Sequence, residues 1–173
     1  MKITPEQKEQ LEKIYQTFLH DEKVMQMKDI PMHRGSNCYE HCFMVARRAI
    51  RRSQKFYNRK VELEVVLIGA ILHDYYLYDW RKDRSKLKHH GREHPFIASE
   101  NASRDFNISP AVKKVIETHM WPMRIKAFPK SKEARIVTWS DKFVALRQAL
   151  TSKKHKAKRK EKYEKQIAHL FDK

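Results

Sequence analysis

Glycine is scarce in this chain. Three glycines among 173 residues leave too few flexible points for the turns of a β-rich protein. Cysteine is scarcer still. Cys38 and Cys42 are the whole complement, one helical turn apart, too close for a comfortable disulfide and too few for a disulfide framework. They read as reduced, mostly buried thiols, and a Cys-x3-Cys half of a zinc site lacks the second cysteine pair it needs. No apolar run approaches the roughly 18 residues that span a bilayer. The opening MKITPEQKEQ has no apolar stretch of the kind a secretory signal carries. The expectation is a cytoplasmic protein without a membrane span. Acid is also short, with 21 Asp and Glu against 38 Lys and Arg, a formal charge of +17. That excess points to an anionic partner, and a nucleotide, a polyphosphate, RNA and an anionic membrane all satisfy it.

What is present favours helix. The chain is rich in Lys, Glu, Leu, Ala, Ile and Arg, 40% hydrophobic and 34% charged, and of a length that suits one domain. Thr4-Pro5-Glu6-Gln7 forms a capping-box-like opening, after which Leu11, Ile14, Tyr15, Phe18 and Leu19 share one side of a helix. A loop with Pro31 and Gly35 ends it. Asn37 with Glu40 starts a second helix with Phe43, Val45, Ala46 and Ile50 inward. The third, from about Val61, is apolar nearly all round and is expected at the centre. Pro95 marks the first turn of a fourth, Ser109-Pro110 opens a fifth that Pro122 closes, and Glu133–Leu150 is a sixth. Its apolar positions are Ile136, Val137, Trp139, Phe143, Val144 and Leu146. The pattern predicts an all-α bundle over residues 1–150, its functional core spanning about 32–150, followed by a basic helical tail over 151–173. The apolar residues at the tail's end, Ile167, Leu170 and Phe171, suit packing onto the body or onto a second subunit; the oligomeric state is left open.

Polar groups punctuate this apolar framework. His41 lies in the second helix, His73-Asp74 ends the third, and His94 begins the fourth. His119 ends the fifth, and Asp141 lies inside the sixth. An unpaired polar group in such surroundings costs roughly 1–3 kcal/mol. One such residue is explained as a satisfied core histidine; six spread over the helices of a bundle can converge on one interior point, as metal sites in bundles do. Mixed imidazole and carboxylate ligands suit Fe, Mn, Zn, Co or Ni better than Ca or Mg. Neighbouring helical residues point about 100° apart, so His73 and Asp74 can serve a pair of ions with the Asp74 carboxylate bridging.

The order His41 … His73-Asp74 … Asp141 resembles the signature of the HD-domain metal-dependent phosphohydrolases. The segments "CYEHC", "LHDYYLYDW", "HHGREHP", "HMWP" and "SDK" are similar to a bacterial subgroup of that superfamily. The resemblance implies a helical bundle in which His41, His73, Asp74 and Asp141 hold one divalent transition metal. His94, His119 and the bridging Asp74 would hold a second. The implied reaction is hydrolysis of a phosphoester or phosphoanhydride bond in an anionic, nucleotide-like substrate by metal-activated hydroxide. Two departures narrow it. Tyr75, Tyr76 and Leu77 follow the HD pair where many relatives carry a lysine. Met120-Trp121-Pro122 stands where relatives that degrade cyclic dinucleotides have a GYP element, which argues against cyclic di-GMP.

Further residues are candidates for the same chemistry. The segment Tyr75–Glu93 has no helical stripe but carries four aromatics among six Lys and Arg residues, a composition suited to gripping phosphates. From it Arg81, Arg84 and Arg92 are candidate substrate contacts, with His33 and Arg34 from the loop before the second helix. His89 and His90 are candidates for protonating a leaving group. Lys142 is a candidate for reaching a phosphate, and Asp79 for orienting a ligand histidine. Two rival readings stay open. The basic tail suits a nucleic-acid-binding protein with a structural or vestigial metal site, and a di-iron centre on this scaffold suits an oxygenase.

Overall fold

A computed structural model describes residues 3–32, 36–56, 61–82, 89–150 and 156–171. Among them are eight α-helices and no strand. The helix α1 (Pro5–Leu19) opens on the expected capping box, Thr4 Oγ1 accepting from Gln7 N and Gln7 Oε1 accepting from Thr4 N. A short α2 (Glu22–Met25), N-capped by Asp21, runs into a 3-10 turn at Gln26–Asp29. Then come α3 (Cys38–Phe56), α4 (Leu63–Leu72), α5 (His90–Phe106), α6 (Pro110–Thr118), α7 (Lys132–Leu150) and α8 (Lys156–Ile167). Asn37 and Glu40 close the start of α3 reciprocally, side chain to backbone in both directions.

Burial follows the apolar pattern. Seven of the ten residues of α4 are buried, and α3, α6 and α7 surround it. A helix without a polar face has nowhere to lie but the centre, where each large aliphatic side chain contributes roughly 1.5–3 kcal/mol by leaving water. Gly69 lets α6 come close, since the space a Cβ would take is filled by Val115. At the other end of the chain α8 lies against α3. The segment after it is tied to α1: Tyr15 Oη donates to the Ile167 carbonyl at 2.7 Å and Gln16 Nε2 to the Ala168 carbonyl at 2.7 Å. Ile167 and Leu170 are buried there.

Three expectations need correction. Helix α5 starts at His90, so Pro95 sits in its second turn rather than its first. The proline removes the bond that a residue at this position would make to the Gly91 carbonyl. Trp139, Phe143 and Leu146 on α7 face outward, 50%, 40% and 58% exposed. The buried face of α7 instead runs through Ile136, Val137, Ser140, Asp141, Val144 and Gln148. Among the described residues Asp79 makes no contact with a ligand histidine; its Oδ1 accepts from Arg81 N and closes a local turn.

Candidate metal centre

Five helices deliver the six polar groups to one buried place. His41 is in the first turn of α3, His73 caps α4 with Asp74 next in the chain, His94 is in the second turn of α5, His119 caps α6 and Asp141 lies midway along α7. All six are buried. His41 Nε2 lies 3.1 Å from Asp141 Oδ1, and His73 Nε2 lies 3.8 Å from the same oxygen and 3.4 Å from Asp74 Oδ2. The other oxygen of Asp74 lies 3.2 Å from His94 Nε2 and 3.4 Å from His119 Nε2. Two triads of potential ligands result, His41–His73–Asp74 and Asp74–His94–His119, and Asp74 belongs to both.

The remaining ring nitrogens explain the orientation. His73 Nδ1 lies 2.8 Å from the Ala70 carbonyl, His94 Nδ1 2.7 Å from the His90 carbonyl, and His119 Nδ1 2.7 Å from the Ile116 carbonyl. His41 Nδ1 lies 2.8 Å from Gln148 Oε1. A carbonyl oxygen only accepts, so each Nδ1 carries the proton and each Nε2 presents a lone pair in the neutral ring. Those lone pairs converge, and His94 Nε2 and His119 Nε2 stand 3.0 Å apart. Two lone pairs at that distance repel unless a cation or a shared proton lies between them. Among the described residues His73 Nε2 and Asp74 Oδ1 are buried and accept no hydrogen bond. The donor set, its tautomers and these orphaned atoms all fit divalent transition metals.

Electrostatics agree with the geometry. Burial penalises the Asp74 and Asp141 carboxylates, yet the histidines around them hold both well below the usual carboxylate range. Burial also works against a charged His73, but Asp74 and Asp141 outweigh it and raise that imidazole to about 9. His119, where burial dominates, falls to about 4. Cys38 and Cys42 also reach Asp74. Burial pushes both thiols up, and Cys38 Sγ donates to the Asp74 carbonyl at 3.2 Å, so they line the centre as protonated thiols.

The other candidates are placed variously. Lys142 Nζ lies 3.0 Å from Asp141 Oδ2 and 3.1 Å from the His119 carbonyl, with a third of its side chain exposed. His90 stacks between Trp80 and His94 and meets the Tyr78 hydroxyl at 2.9 Å. Burial, then His94, holds it down at about 4, so at neutral pH the ring is neutral. Tyr76 packs edge-on to both His90 and His94, and the chain turns at Leu77 with φ 55° to bring Tyr78 to the same cluster. Arg81 turns back and donates to the carbonyls of Pro31 and Met32. His89 and Arg92 are exposed at the start of α5. His33, Arg34 and Arg84 lie outside the described residues. Gln148 was not singled out from the sequence; its only signal is its position seven residues beyond Asp141, on the same face of α7.

A family model, the HD domain, matches residues 38–146, more than half of the chain and all six clustered groups. No curated protein and no solved structure matches closely enough to compare.

Proposed function

We propose, for a chain that belongs to the HD-domain family of metal-dependent phosphohydrolases, that it cleaves a phosphoester or phosphoanhydride bond of a small, nucleotide-like anion with two divalent ions. One observation carries this reading: four imidazoles, each with its Nδ1 proton given to a carbonyl, aim Nε2 toward Asp74 or Asp141, and Asp74 is shared by two triads. His41, His73, Asp74 and Asp141 would hold one ion, and Asp74, His94 and His119 the other. Bound there, divalent ions would supply an acidified water and positive charge for phosphate oxygens.

The protein's own groups do the rest. Lys142, held beside Asp141 and partly exposed, neutralises a substrate phosphate. Arg92 and His89, exposed at the start of α5, meet the distal part of the substrate, and His89 supplies a proton to the leaving oxygen. His90 positions His94, through its carbonyl and through the ring stack. Arg81 orders the neighbouring loop.

Elemental analysis of protein purified without chelator, followed by phosphate release from a panel of nucleotides, tests the proposal. The expected result is about two transition-metal ions per chain. Hydrolysis is lost in Asp74→Asn while cooperative unfolding is kept. Absence of metal after titration, or full activity in Asp74→Asn, overturns it.

A further inference from the structure

Away from the metal centre, α3, α7 and Gln166 of α8 line a half-open cavity of about 440 Å³, within the range of small-ligand sites. Its walls carry Arg47, Arg48, Arg51, Arg52 and Lys55 from α3 and Arg147 from α7, and among the described residues none that lines it is acidic. The α3 cations recur at three- and four-residue spacing, which places them in rows on one face of the helix. At the roughly 1.5 Å rise of a helix, Arg48 lies about 10 Å and Lys55 about 20 Å along α3 from His41. The cavity is therefore separate from the ligand cluster.

We propose that this cavity is a binding site for a chain of phosphates, an inorganic polyphosphate or the phosphate tail of a nucleotide. Six cations facing one concave space focus a positive potential there, and guanidinium groups bind phosphate oxygens through paired donors. Arg48 is already oriented. Its guanidinium carbon lies 3.2 Å from the centre of the Phe143 ring, and its Nε is buried without a hydrogen-bond acceptor among the described residues. Burial first, and then the charges of Arg52 and Arg147, lower its pKa. A small half-enclosed cavity suits a compact phosphate chain better than the extended track a nucleic-acid strand needs. The cavity also touches the metal centre through one relay: Met44 lines it, Gln148 Nε2 contacts Met44 Sδ at 3.8 Å, and Gln148 Oε1 holds His41. The inference does not rest on the hydrolytic reading.

Calorimetric titration of the full chain with a methylene-bridged triphosphate, at physiological salt, tests it. One class of binding survives Asp74→Asn and weakens at least about tenfold in Arg51→Gln/Arg147→Gln, with two exposed cations removed. The double variant keeps its melting temperature and its metal content. Equal binding of inorganic tripolyphosphate and adenosine triphosphate supports a site that reads the phosphate chain alone; tighter binding of either supports that source. Absence of saturable binding, unchanged affinity in the double variant, loss of the site in Asp74→Asn, or displacement by a short single-stranded oligonucleotide at lower concentration overturns the proposal.

Discussion

Gly69 sits where α6 packs closely against α4, and Gly69→Ala asks whether that approach sets the metal geometry. An added Cβ falls 2.7 Å from Val115 Cγ1 and 3.1 Å from Val115 Cβ, well inside the 3.5–4.0 Å at which carbons attract. Valine in a helix has essentially one χ1 rotamer, so Val115 cannot turn away. The helices must separate. Overpacking of this kind costs roughly 1–3 kcal/mol, and the gain in helix propensity from Gly to Ala returns about 1 kcal/mol. A net loss of about 1 kcal/mol follows, or roughly 2–4 °C in Tm for a chain of this size. Function suffers more. His73 follows Gly69 by four residues and His119 follows Val115 by four, so the displacement passes directly into the ligand cluster. The assay is a thermal melt paired with metal content. Gly69→Ala should lower metal occupancy by more than its small change in Tm suggests. Its stability cost should shrink by about 1 kcal/mol in a Val115→Ala background, where the clashing methyl is gone. An unchanged or raised Tm together with full metal loading would refute the reasoning.

Gln148→Leu removes the acceptor that fixes the His41 tautomer and should weaken metal binding roughly 10–100-fold with the helix intact; Gln148→Glu, which still accepts, should retain most of it. Competition with a chromophoric chelator reads both. His73 is raised to about 9 and so holds a proton at neutral pH, which a metal must displace. Metal uptake at pH 7 should therefore release a proton, and affinity should climb with pH until about 9. Titrations in buffers of different ionisation enthalpy measure the release, and pH-independent binding between 7 and 9 would contradict it. Tyr15→Phe strips the donor from the buried Ile167 carbonyl and should cost about 1–3 kcal/mol by urea unfolding. No change would mean that the segment after α8 is not anchored there.

The ligand cluster was legible because polar residues inside apolar stripes are conspicuous: His41 lies beside Cys42 and Phe43, and Asp141 lies among Ile136, Val137 and Val144. The carbonyls of Ala70, His90 and Ile116 that set the tautomers were not, since backbone carries no sequence signal of its own. Gln148 pairs with His41 across 107 positions of chain, a relation that only tertiary packing creates. Trp139, Phe143 and Leu146 misled because α7 is apolar on more than one side, and periodicity alone does not tell which side the bundle takes. The start of α5 was misplaced for a related reason. Pro95 is a strong local signal, but the stacking of His90 between Trp80 and His94 supplies contacts that extend the helix a turn before it.

Charge links the centre to the surface around it. Neutral imidazoles and the two carboxylates Asp74 and Asp141 give the ligand set a charge of −2, and protein without metal partly offsets this by keeping a proton on His73. One divalent ion would bring the set to neutrality, leaving little to hold an anion. Two would bring it to +2, and Lys142 beside Asp141 adds a further positive charge. A site with that balance attracts phosphate dianions, and it does so within a chain of formal charge +17 whose long-range field draws the same ligands. The number of ions is thus coupled to the class of substrate. His94→Ala/His119→Ala removes two neutral ligands and leaves every fixed charge in place. In the two-ion reading it should lose one ion and, with it, most affinity for a phosphate substrate analogue at the centre. Retained analogue affinity with a single ion would break the coupling and place phosphate recognition on Lys142 and the α5 cations instead.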